Sequence, residues 1–147
     1  KLDCNLYVFI CSCNPLGPIK CPHGWLPYSG HCYMIHREPK VWKEALTSCK
    51  NQDGNLASMH NIAENSFIVS QLGYSKYFST VLSALFIMNR LWLWLDKTAV
   101  DFVNWNKGQP SSNQFEYCVE MSASSGYWNT IPCSSQKESI CKKPKSK

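Results

Sequence analysis

The order of apolar and polar positions divides the chain into two halves. Trp42, Ala45, Leu46 and Cys49 stand at i, i+3, i+4 and i+7, one face of an amphipathic helix, and the turn around Gly54 ends it. Asn61 and Glu64 have the spacing of a capping box and start a second helix; its predicted buried positions are Ala63, Phe67, Ile68 and Leu72, and Gly73 closes it. The pattern then changes. Leu91 to Leu95, Phe102 to Trp105, Tyr117 to Met121 and Tyr127 to Trp128 are short and aromatic, separated by Gly, Pro, Ser and Asn, which are strand and loop signals. Helices followed by short strands predict an α+β domain. The run from Tyr77 to Met88 is apolar without an evident core face, so residues 75–90 are expected to stand outside the selected body of the domain. Its longest apolar stretch, Phe78 to Met88, falls well short of the roughly 20 residues a membrane span needs.

Nine cysteines in 147 residues change this picture most, because they favour an oxidising compartment and a disulfide framework. Nine is odd, so at least one thiol lacks a partner within the chain. Cys21 and Cys32 bracket Trp25, Tyr28 and Gly30, which suggests a stapled hairpin. The first 20 residues carry Cys4, Cys11 and Cys13, then Pro15, Gly17 and Pro18, and read as a tail and linker. Cys4 and Cys11, with Ile10 before the second, echo Cys133 and Cys141 with Ile140. Residues 1–13 therefore read as the last strand of a preceding copy of the domain, in a chain longer than this one. Lys142, Lys143, Lys145 and Lys147 read as a solvated basic linker. The resulting boundaries are 1–20 for the tail, 21–142 for the domain and 143–147 for the linker.

A net charge of +5 is too small and scattered to argue for nucleic acid. Cys11, Cys13, Cys21 and His23 match no common zinc spacing. His23, His31, His36 and His60 stand in turn or surface contexts, and there is no Gly-rich phosphate loop or catalytic carboxylate pair, so no enzyme is expected.

Cys21-Pro-His-Gly-Trp-Leu-Pro-Tyr-Ser-Gly-His-Cys32-Tyr33, then Trp42, Ala45, Cys49, Gly54-Asn-Leu-Ala-Ser58 and Glu64, resemble the first half of a C-type lectin-like domain. Trp105, Gly108-Gln-Pro110, Glu116-Tyr-Cys118, Trp128-Asn129, Cys133 and Ile140-Cys141 match its second half in order, and Trp92-Leu-Trp-Leu95 looks like a variant of the family's Trp-Ile-Gly-Leu signature. Residues 21–74 look closest to the mannose-receptor family, endocytic receptors built from tandem lectin-like domains. The resemblance implies the bridges Cys21–Cys32, Cys49–Cys141 and Cys118–Cys133. It also implies an extracellular receptor ectodomain, neighbouring lectin-like domains as partners, and a glycan, glycoprotein or protein ligand.

Sugar-binding members hold a calcium ion with a loop motif, Glu-Pro-Asn or Gln-Pro-Asp, a later Glu before a cysteine, and a Trp-Asn-Asp. Here the matching positions are Gln109, Ser111, Glu116, Asn129 and Thr130. Glu116 and Asn129 keep a carboxylate and an amide as metal ligands, while Ser111 and Thr130 offer short neutral hydroxyls. Calcium takes about 6–8 oxygens and its affinity follows ligand charge. The implied site is therefore degraded, with weakly bound calcium or no cofactor. Phe115 and Tyr117 are candidates for stacking on a sugar ring. Trp94 stands at the signature's small-residue position and is expected to overpack it, and the strand the family inserts after the signature, with its own Trp, is expected to be missing.

Overall fold

A computed structural model describes residues 20–73 and 80–146. Cys4, Cys11, Cys13 and the N-terminal half of the repeat echo lie outside the described residues. Leu26–Tyr28 (β1) and His31–Lys40 (β2) form a hairpin. Trp42–Lys50 (α1), Asn55–Leu56 (β3) and Ile62–Leu72 (α2) follow. Thr80–Met88 (β4), Leu91–Trp94 (β5), Cys118–Ser122 (β6), Trp128–Ile131 (β7) and Lys137–Pro144 (β8) complete the order. The sheet runs β1-β2-β8-β4-β6-β7, with β3 on β8 and β5 on β4; only the β4–β8 pairing is parallel. The α+β expectation holds.

All three implied bridges are present. Cys49–Cys141 ties α1 to β8 across 92 positions and contributes about 4–5 kcal/mol on a chain-entropy account. Cys21 is thereby committed to Cys32, which closes the zinc alternative for it.

Both helices lie close to their predicted positions, with one correction. α2 buries Glu64, Asn65, Ile68 and Leu72, whereas Ala63 is exposed and Phe67 only half-buried, stacked on Tyr28 at 4.3 Å. Asn61 Oδ1 accepts the Glu64 amide at 2.8 Å, half of the expected capping box. The Glu64 carboxylate reaches back to the His60 amide instead of to the cap residue.

The largest correction concerns residues 80–90 of the 75–90 segment, residues 75–79 lying outside the described residues. Residues 80–88 are the interior strand β4, which contacts β5, β6 and β8 and buries Leu82, Ser83, Ala84 and Leu85. A strand covered on both faces has no apolar–polar alternation, which is why no core face was visible. Asn89 and Arg90, both at positive φ, turn the chain directly into β5. The strand expected to be missing is therefore β5, with Trp92 and Trp94. The signature's place falls one strand earlier, at Leu82-Ser83-Ala84-Leu85, where the small residue is the fully buried Ala84. Trp94 overpacks nothing; it is buried edge-on against Trp128 at 5.7 Å between centroids. Phe102 to Trp105 is not a strand but a loop bridged to Trp128 through Trp105. Lys142 and Lys143 lie on β8 and not in a solvated tail, and Lys142 is buried.

Candidate functional site

The loop between β5 and β6 returns to the edge strand β7, and the aromatic pillar beneath it is Trp128. This residue is fully buried, with Trp94, Phe102 and Trp105 edge-on around it at 5.6–5.8 Å. Its indole N–H donates to Asn65 Oδ1 at 2.8 Å, and Asn65 and Asn104 both donate to the Gly126 carbonyl. Gly126 has φ +76°, and a Cβ there would stand 2.6 Å from Asn65 Nδ2, so only glycine fits. Backbone bonds from Trp128 to Asn104 and from Asn106 to Trp128 fix the loop's descending side.

On this base four of the five candidate residues, Gln109, Ser111, Glu116 and Thr130, converge, while Asn129 pairs with Asn106 instead. The Gln109–Pro110 bond is cis. Gln109 Oε1 accepts the Thr130 amide at 2.9 Å and lies 2.8 Å from the Thr130 hydroxyl. That hydroxyl also lies 2.9 Å from Glu116 Oε2 and accepts the Ser111 amide at 3.1 Å. A hydroxyl owns one proton. Because Gln109 already receives an amide proton, the hydroxyl proton goes to the charged Glu116, the stronger acceptor. Asn129 Oδ1 accepts from Asn106 Nδ2 at 3.1 Å, and Ser111 Oγ accepts the Asn113 amide at 3.0 Å. Phe115 and Tyr117 are both exposed, Tyr117 in a cavity lined by Trp42, Phe86, Ile87 and Cys133 rather than by the loop residues.

The fit to calcium follows from this inventory. Calcium requires about 6–8 oxygens at roughly 2.3–2.6 Å. Here the side-chain oxygens carry one formal charge, on Glu116, and each is already an acceptor within the loop. Among the described residues, the one group of three metal-capable side chains is His36 with Cys49 and Cys141, whose sulfurs form a disulfide. The donor set falls short of a tight calcium centre.

Two further clusters escaped sequence reasoning because their members are far apart in the chain. Lys142 Nζ sits 2.5 Å from Glu64 Oε1 and 3.1 Å from the Ser58 carbonyl, and the Tyr33 hydroxyl donates to the same carboxylate oxygen. Burial pushes the Glu64 carboxyl up, but hydrogen bonds from Lys142, Tyr33 and the His60 amide outweigh it and hold the group below its ordinary range. Alongside, Ser58, His60, Asp96, Thr98 and Asp101 form a connected network rooting the loop. Burial pushes the Asp96 carboxyl up, yet the Ser58 and Thr98 hydroxyls pull it below its usual value. Nothing in the local context of His60 signalled this.

Such a loop, seated on a tryptophan pillar in a disulfide-closed α+β domain, defines a lectin-type recognition domain. Residues 38–143 match the lectin C-type domain family, and the chain belongs to it. It is 33% identical to C-type mannose receptor 2 of Homo sapiens over 133 residues, covering 85% of this chain but only 9% of that protein. It is equally 33% identical to the C-type lectin mannose-binding isoform of Oxyuranus scutellatus over 147 residues, covering 93% and 92%. Among solved structures, the cow CD23 carbohydrate-recognition domain with a GlcNAc2Man3 oligosaccharide superposes with TM-score 0.80 at 27% identity, covering 88% and 100%. A calcium-independent type II antifreeze protein superposes with TM-score 0.79 at 26% identity, covering 89% and 99%. The family is generally non-enzymatic. Among the described residues no helix is long and apolar enough to cross a membrane.

Proposed function

We propose that this domain is a non-catalytic extracellular recognition module whose loop works without calcium, presenting a preformed polar and aromatic surface to a glycoprotein or protein ligand. The observation that carries this reading is the Thr130 hydroxyl, which links Gln109, Ser111 and Glu116 into one hydrogen-bonded unit without a metal. Sugar-ring stacking falls to the exposed Phe115, on the same loop as Glu116. The three disulfides suit an oxidising setting. A place in a mannose-receptor-like endocytic array remains part of the proposal, and a secreted single-domain lectin is its equal on similarity.

A second reading, weak calcium-dependent sugar binding, is favoured by Gln109 and Glu116, which meet at the Thr130 hydroxyl and stand, like Asn129, at positions the family uses. Calorimetry of the oxidised protein against calcium up to about ten millimolar, the weak end of known sites, separates the two. Silence with a folded sample, together with glycan- or glycoprotein-array binding that survives chelator, supports the first. Calcium uptake with chelator-sensitive retention on mannose or galactose resin overturns it in favour of the second.

A further inference from the structure

The hydrogen bonds around His60 do not balance for a neutral ring. Its Nδ1 lies 2.7 Å from Asp101 Oδ1. Its Nε2 faces two hydroxyl oxygens, Thr98 Oγ1 at 3.0 Å and Ser58 Oγ at 3.2 Å. Both hydroxyls are drawn to the Asp96 carboxylate, Thr98 to Oδ1 and Ser58 to Oδ2, each at 2.5 Å. Each has one proton, and Asp96 takes both. A ring protonated only on Nδ1 therefore turns a lone pair towards two oxygen lone pairs. A ring protonated on both nitrogens satisfies every contact, donating to Asp101 on one side and to the hydroxyl oxygens on the other. A neutral ring is satisfied only if one hydroxyl leaves Asp96 or, with the proton on Nε2, Asp101 leaves Nδ1.

We propose that His60 is a positioning residue that acts as a proton-operated latch on Asp96–Asp101, the root of the long loop. Protonated, it bridges Asp101 and the Ser58–Thr98–Asp96 cluster and draws the segment onto the start of α2. Neutral, it releases one side, Thr98 or Asp101 according to the tautomer, both being exposed whereas Ser58 is buried. Other groups face the ring. Glu64 on α2 accepts the His60 backbone N–H at 2.8 Å. Lys142 on β8 reaches Ser58 Oγ at 3.4 Å. Trp94 on β5 lies 6.1 Å away, ring to ring. Lys142 is already bonded to Glu64, so the ring that stands between the two aspartates is that of His60. The root segment feeds the loop carrying Gln109 and Glu116, but the latch stands whether or not that loop binds a glycan.

The test is an NMR titration of the oxidised protein from mildly acidic to mildly alkaline pH, following the His60 ring nitrogens and the backbone amides of residues 96–101. In the wild type, the amides of Thr98 and Asp101 shift with the His60 midpoint, and their exchange protection falls about two- to fivefold as the ring loses its proton, the change expected of a partly exposed charge pair. His60→Gln abolishes this coupled response while amides remote from the loop root keep their pH profiles. Thr98→Val, at an exposed position, keeps the response at Asp101 and loses that at Asp96, which serves if the glutamine variant folds poorly. Root amides that ignore the His60 midpoint, that still follow pH unchanged in His60→Gln, or an Asp96 response that survives in Thr98→Val, overturn the latch. Neither result bears on calcium or glycan binding, so failure here is distinct from failure of the proposed function.

Discussion

Replacing Lys142 with methionine removes a positive charge that is buried with its partner. The Lys142 and Glu64 side chains retain 8% and 7% of their exposure, and their charged atoms are 2.5 Å apart. Methionine keeps most of the volume, so the change is electrostatic. Glu64 is left with the Tyr33 hydroxyl and the His60 amide and no counter-charge. Stranding one member of a buried pair costs about 3–5 kcal/mol. Glu64→Gln should cost a comparable amount by stranding the ammonium, whereas the double variant removes both charges and should cost less than either single change. The assay is guanidinium unfolding of the oxidised protein for all four members of the cycle, read by linear extrapolation. The acid limb gives a second readout. Glu64 titrates below its ordinary value in the folded state, so its contribution is full above the unfolded carboxyl pKa of about 4.3 and is lost as pH falls through the lower folded value. Lys142→Met should flatten that dependence. A cost below about 1 kcal/mol, the surface-pair range, or additivity across the cycle, would refute the reasoning.

Gly126→Ala should lose about 1–3 kcal/mol, because a side chain at positive φ is strained and its Cβ meets Asn65; thermal unfolding reads it, and an unchanged Tm contradicts the role given to Gly126. Thr130→Asp sets a second carboxylate beside Glu116 and should lower stability without metal while creating calcium affinity. At calcium ten times its Kd, this variant should gain about 1.4 kcal/mol, roughly 3–6 °C in Tm, while the wild type moves little. Burial, then the hydrogen bond to Glu64, pushes the Tyr33 phenol far above its ordinary range. Its contribution to stability is therefore present below the unfolded pKa of about 10 and is lost as pH rises past it. Tyr33→Phe should remove that alkaline loss in denaturant unfolding followed against pH.

The fold was legible where residues advertise their environment locally. The α1 stripe, the Asn61 cap and the Gly73 stop are short-range signals, and the cysteine ladder was readable through family resemblance. β4 was not legible, because burial on both faces erases alternation, and the error moved downstream. With Leu82–Leu85 passed over as a nondescript run, Trp92–Leu95 took the signature's place and its own strand was counted as missing. Lys142 misled for a different reason. Among the described lysines of that run, Lys142, Lys143 and Lys145, it is the buried one, and Glu64, reached from 78 positions away, explains that. The loop positions could be named from the motif, but Thr130 as their hub could not, since its partners are set by the cis turn and by β7. His60 had no local signal at all, because its partners at 96, 98 and 101 arrive only when the loop root folds back.

Lys20 pairs with Ser146 in an antiparallel bridge, so the chain enters and leaves the domain side by side. Tension applied at those two points first opens that bridge and then meets covalent bonds. It crosses from Cys21 to Cys32, runs along β2 and α1, and crosses again from Cys49 to Cys141. The 92-position loop closed by the second bridge holds α2, the tryptophan pillar and the whole Gln109–Thr130 unit, and none of it lies on the load path. A domain wired in this way can be pulled from its ends without stretching the surface it presents.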